Sequence, residues 1–183
     1  MIEQPVLETP RLWIRPLDKF DASAIQRAAG AREIADTMIS IPHPYPANEA
    51  KRYVARQQAE RGAGRSVTFT IEHKAERCFY GLVEVRNIDH EHSIGELSFW
   101  LMVEAWGQGY MSEVVQAVVR YGFESLSLNR LYAYHMLRNP VSERVLEKNG
   151  FKQEGLLRQR VRKWGQFEDV ALWAILRQEW QDD

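Results

Sequence analysis

The stretch Trp106-Gly107-Gln108-Gly109-Tyr110-Met111-Ser112 constrains this chain more than any other, because it stands where a strand-like pattern hands over to a helical one. Before it, Ile94 to Val103 alternates: Leu97, Phe99, Leu101 and Val103 share one side of an extended strand, and Glu96, Ser98, Trp100 and Met102 share the other. The first set reads as core. Beyond the turn, Met111, Val115, Val118 and Gly122 recur at helical spacing, with Val114 and Tyr121 beside them, predicting an amphipathic helix of about three turns. A glycine turn at such a junction gathers unpaired backbone N–H groups and the positive end of a helix dipole at one spot. A phosphorylated ligand is the expectation there.

The rest of the chain reads as a mixed α/β order. Arg11 to Leu17 alternates as a short strand, and Asp21 to Ala29 and Arg32 to Thr37 read as short helices. Ile41-Pro42-His43-Pro44-Tyr45-Pro46 carries prolines at alternate positions, which forbids helix and favours an extended, semi-rigid loop. Asn48 to Arg61 has helical spacing and ends at Gly62-Ala63-Gly64. Ser66 to His73, Cys78 to Asn87 and Ile94 to Val103 form a strand meander. Arg130 to Met136 is a strand, Asn139 to Lys148 a helix closed by Asn149-Gly150, and Phe151 to Lys163 and Phe167 to Leu176 are strands around Gly165-Gln166. No repeat or linker interrupts this order, so residues 1–183 are expected to form a single domain.

Composition excludes several classes. A chain of 183 residues with 45% apolar and 27% charged residues is ordinary for a soluble globular protein, and a net charge of −1 gives no reason to expect DNA binding. No stretch approaches the roughly 18 consecutive apolar residues of a membrane span, so a cytoplasmic protein is the default. Lone Cys78 has no disulfide partner and is expected to pack in the core. The histidines, including His90 and His92 in a polar turn, form no ligand set, so no metal is expected.

The order strand, Trp106-Gly107-Gln108-Gly109-Tyr110-Met111-Ser112-Glu113, helix, strand, Asn139-Pro140-Val141-Ser142, then Leu146-Glu147-Lys148-Asn149-Gly150-Phe151, resembles the GNAT superfamily of acetyl-CoA-dependent N-acetyltransferases. Within it the chain is most similar to the RimJ/RimL branch, whose members modify ribosomal-protein N-termini or other amines. Glu8-Thr9-Pro10-Arg11-Leu12, Arg15-Pro16-Leu17, the Pro42 to Pro46 loop, and Gly165 with Asp169-Val170 extend the match over nearly the whole length. The resemblance implies an α/β GNAT-like fold, with a mixed central sheet of about seven strands flanked by helices and splayed between strands 94–103 and 130–136. It implies acetyl-CoA as co-substrate and a primary amine as acceptor, attacked directly in a ternary complex. A homodimer is compatible with it.

By the same resemblance, Gln108, Gly109, Tyr110, Met111 and Ser112 cradle the CoA diphosphate, although Trp106 and Met111 depart from the usual superfamily signature. Leu101, Met102 and Val103 lend backbone groups to the pantetheine arm, much as a sheet edge accepts an added peptide strand. Asn139 and Ser142 contact the cofactor arm, Ser142 lying near the sulfur as a proton donor, since Leu146 replaces the tyrosine donor of other members. Asn139 followed by Pro140 is equally a standard helix start. Glu96 is the expected base, and Trp100 and Tyr45 the expected walls of the acceptor pocket. Arg158, Arg160, Arg162 and Lys163 read as a solvated basic face that could also draw an acidic partner.

The acceptor sets the demand on the base. A lysine amine of pKa about 10.4 is about 4.6 kcal/mol short of its neutral form at pH 7, whereas an α-amine of pKa about 7.8 is short by about 1.1. A protein N-terminus is therefore the sharper expectation. A small amine such as an antibiotic, polyamine or amino acid, and a non-catalytic acyl-CoA sensor, remain the alternatives.

Overall fold

Alternating segments along the chain become eight strands in the computed structural model, which describes residues 3–181. They are β1 (Leu7–Glu8), β2 (Leu12–Pro16), β3 (Val67–His73), β4 (Cys78–Asp89), β5 (Ile94–Leu101), β6 (Arg130–Met136), β7 (Lys152–Lys163) and β8 (Gln166–Leu176). The helices are α1 (Ala22–Ala28), α2 (Arg32–Thr37), α3 (Glu49–Gly62), α4 (Tyr110–Glu124) and α5 (Pro140–Lys148). One sheet runs in the order β1-β2-β3-β4-β5-β6-β8-β7. Its strand count exceeds the expected seven or so by β1, whose two residues pair with Ile14 and Trp13 and are too short to show a period.

All neighbours are antiparallel except β5 and β6, which are parallel and register only at Ile94–Arg130, Gly95–Leu131 and Glu96–Tyr132. Past that point β5 stays with β4 as far as Leu101, while β6 stays with β8 as far as Met136. The sheet therefore opens into a gap at its centre.

Helix α4 covers one face of the sheet. Val114, Val115 and Val118 are fully buried against it, each contributing about 1.5–3 kcal/mol. A Cβ on Gly122 would lie 2.9 Å from Leu131 Cδ1, so the missing side chain lets the helix sit close against β6. On the other face, Ile25 from α1, Ala29 just beyond its end, and Ala50 and Val54 from α3 bury Leu82, with Trp100 packed beside them. Strand β5 is thus covered on both sides.

The strand also ends earlier than its alternation predicts. Met102 (φ −57°, ψ 151°) leads into a 3-10 turn over Val103–Ala105, which carries Met102 and Val103 out of β5. Helix α4 extends to Glu124, beyond the three turns expected, and among the described residues no helix is long and apolar enough to cross a membrane.

Candidate active site

At the turn before α4, Gly107 (φ 76°) and Gly109 (φ 78°) both hold the left-handed conformation that residues with a Cβ adopt at a penalty. Glu113 is the first residue whose N–H bonds into the helix, onto the Gly109 carbonyl at 3.3 Å. The amides of Tyr110, Met111 and Ser112 consequently have no intrahelical acceptor. The Tyr110 and Met111 side chains are buried in the core, so these residues offer a ligand their main chain alone. Nothing lies within 4 Å of where a Gly107 Cβ would stand, which leaves the turn open to an incoming diphosphate.

Arg11 organises this turn and was not anticipated in that role. Its Nη1 donates to the Gln108 carbonyl (3.0 Å), its Nε to Glu113 Oε2 (2.8 Å), and its guanidinium lies 4.2 Å from the Tyr110 ring centroid. Burial pushes the Glu113 carboxyl up, but the Thr9 hydroxyl and the N–H groups of Arg11 hold it below the usual range. A carboxylate in the first turn favours the helix but repels an anion, and Arg11 offsets that charge where a diphosphate would bind.

The gap between β5 and β6 revises the expected backbone contacts. Met102 N–H donates to the Tyr80 carbonyl (2.7 Å) as the last rung of the β4–β5 ladder. Because an antiparallel ladder alternates, the N–H and C=O groups of Phe99 and Leu101 turn the other way, toward β6, beyond the last registered pair at Glu96–Tyr132. The Leu101 carbonyl accepts from the Trp106 indole (2.9 Å), and the Val103 carbonyl accepts from Trp106 N–H (3.1 Å). Of the three residues expected to offer backbone groups, Leu101 stands at the gap, whereas the Met102 N–H is spent inside the sheet and the Val103 carbonyl inside its turn.

Ser142, His135 and Glu96 line one small cavity of about 40 Å³ at the gap. Asn139 caps α5: its Oδ1 accepts from Ser142 N–H (3.4 Å), and its Nδ2 donates to Ser142 Oγ (2.9 Å). The cap therefore positions the serine hydroxyl. Glu96 is buried and fully engaged, Oε1 taking two N–H groups from Arg86 and Oε2 one from Asn87 Nδ2 (2.8 Å). Arg86 faces Glu96 directly across the strands, and Asn87 reaches it from the irregular β4–β5 pairing at φ 50°. Arg86 Nη1 also donates to Glu84 Oε1 (3.1 Å), while Tyr53 donates to Glu84 Oε2 (3.1 Å). Burial raises the Glu84 pKa against the pull of Arg86. Two carboxylates thus share one guanidinium, an arrangement that single-strand alternation does not reveal.

A larger cavity of about 270 Å³ opens on the α1–α3 side and is lined by Tyr45, Tyr53, Glu84, Arg86 and Trp100. Tyr45 and Trp100, the two residues expected to wall an acceptor pocket, thus line one cavity. Lys163 differs from its reading as part of a solvated basic face: it is buried, and its Nζ donates to the carbonyls of Met38 (2.8 Å) and Ile41 (2.6 Å). Burial, then Arg138, lowers its pKa. Arg158, Arg160 and Arg162 remain exposed. Cys78 is only half-buried and its thiol donates to Glu76 (3.4 Å), so it packs at the margin of the core rather than within it.

The chain matches the family model described as "Acetyltransferase (GNAT) domain" over residues 11–152. It is 30% identical to the uncharacterized N-acetyltransferase YoaA of Bacillus subtilis, covering 94% of this chain and 97% of that protein. It is 25% identical to the spermidine N(1)-acetyltransferase of Vibrio cholerae, over 93% of this chain and 95% of the relative. Among solved structures, the RimL ribosomal L7/L12 alpha-N-protein acetyltransferase in complex with coenzyme A superposes with a TM-score of 0.87 at 18% identity, over 94% of this chain and 98% of that one.

Proposed function

The chain belongs to the GNAT acetyltransferase family, and from that premise we propose that its acceptor is the α-amine of a protein or peptide N-terminus. Acetyl-CoA is the co-substrate and supplies an activated acetyl thioester. The open amides of Gly109 to Ser112, with Arg11 beside them, hold the diphosphate. The gap-facing edge of Phe99 and Leu101 takes the amides of the arm, and the Leu101 N–H is placed to stabilise charge on the carbonyl oxygen. Ser142 accepts from Asn139 and keeps its own O–H to donate. Glu96 takes the proton of the entering ammonium, directly or through water, and Tyr45 and Trp100 wall the acceptor.

The observation that carries the choice of acceptor is the engagement of Glu96 by Arg86 and Asn87. Both Glu96 oxygens are already occupied by N–H donors, and an α-amine asks about 3.5 kcal/mol less of any base than a lysine amine does. The RimL neighbour, named for alpha-N-protein acetylation, supports this reading, and the spermidine relative is its competitor. The free thiol of Cys78 suits a reducing cytoplasmic setting.

An acceptor panel tests it. Release of free thiol from acetyl-CoA is measured with a peptide bearing a free N-terminus, the same peptide N-blocked but carrying lysine, and spermidine. Turnover of the first alone is expected. Turnover confined to the blocked peptide or to spermidine overturns the α-amine assignment.

A further inference from the structure

His135 is 3% exposed on β6, and its Nδ1 lies 3.0 Å from the Met136 carbonyl. A carbonyl only accepts, so Nδ1 carries the hydrogen and Nε2 of the neutral ring presents a lone pair. That Nε2 is buried without a hydrogen-bond partner, in a residue that lines the gap cavity together with Ser142. Buried polar atoms without partners are rare, and such an atom beside a binding gap points to a ligand group that completes it. A serine hydroxyl alone is also an incomplete donor: it holds its proton too tightly to surrender it unless another group supplies one.

We propose that His135 Nε2 binds the sulfur of the co-substrate, accepting the S–H of the thiol form and carrying to sulfur the proton lost by the acceptor nitrogen. This rests on the acetyltransferase reading above. The balance is simple. As the C–N bond forms, the nitrogen sheds one proton to Nε2. As the C–S bond breaks, the sulfur takes the electron pair and receives that proton from Nε2, with Ser142 O–H donating to the sulfur alongside. No oxidant, metal or further reactant enters.

Binding measurements separate this inference from the reading it rests on. Calorimetric titration compares CoA with desulfo-CoA, in which hydrogen replaces the thiol, for the wild type and for His135→Gln and His135→Phe. The wild type is expected to bind CoA about tenfold tighter than desulfo-CoA, a hydrogen bond's worth of preference, and both variants to lose the difference while binding desulfo-CoA as before. Equal affinities in the wild type, or a preference that survives in both variants, would overturn the assignment and leave Nε2 to a buried water shared with Trp173 Nε1, the other unpartnered ring nitrogen nearby. Binding of neither compound would instead sink the acetyltransferase reading itself. Turnover is expected to fall at least about tenfold in His135→Gln, with the KM for acetyl-CoA changed much less.

Discussion

Glu96 and Glu84 close on the single guanidinium of Arg86, and removing either carboxylate tests a different function. Glu96→Gln is expected to lower kcat/KM most below neutral pH, where the α-amine is largely protonated, and an unchanged pH–rate profile would remove Glu96 as the base. Gly109→Val forces a β-branched residue to φ near 78°, at about 1–2 kcal/mol, and should weaken CoA binding about tenfold or more in calorimetry while the far-UV spectrum stays native. At this scale the sequence was readable wherever a position's role follows from its neighbours along the chain. Alternation placed Glu96 with Ser98 and Trp100, and the glycine turn announced its own backbone. Arg86 and Asn87 were not readable, because their contact with Glu96 depends on strand register and on an irregularity that no local pattern encodes.

Among the elements, the segment between α2 and α3 owes its position to a cation from a distant hairpin. Lys163 sits at the end of β7, yet its ammonium ties the Met38 and Ile41 carbonyls that frame the larger cavity. Lys163→Met should leave two carbonyls unsatisfied, lowering stability by about 1–3 kcal/mol in urea titrations and raising the KM for the amine more than that for acetyl-CoA. A proportional rise in both would show that the loop does not frame the acceptor. Helix α5 carries the companion prediction: Ser142→Ala should slow turnover with little change in CoA affinity, because the Asn139–Pro140 start holds the helix without it. Element types and most boundaries were legible from period and punctuation. The end of β5 was not, since Met102 continues the alternation perfectly well and only its partner Tyr80 and the turn that follows decide where the strand stops.

Across the whole molecule, Asp21 joins the start of α1 to β2 and β3 through Arg15, the Asp18 N–H and the Thr70 hydroxyl. Burial pushes its carboxyl up, but these partners outweigh that and bring it below the usual range. A depressed carboxylate stabilises the fold fully above its unfolded pKa of about 3.9, and the contribution is lost as pH falls through the folded value. Asp21→Asn should therefore cost about 2 kcal/mol at pH 7, with the gap to wild type narrowing in acid below about pH 4. A constant gap across that range would show that the charge is not what Asp21 contributes. By itself the sequence determined the mixed α/β order, the glycine turn ahead of α4 and the family, because each is written in short-range period, glycine placement and motif spacing. The tertiary structure alone decided which backbone groups face the gap, which side chains restrain Glu96, and that His135, its Nε2 buried without a partner, lines one cavity with Ser142. Those facts depend on which strands pair and where two of them part, and pairing joins residues that lie far apart along the chain.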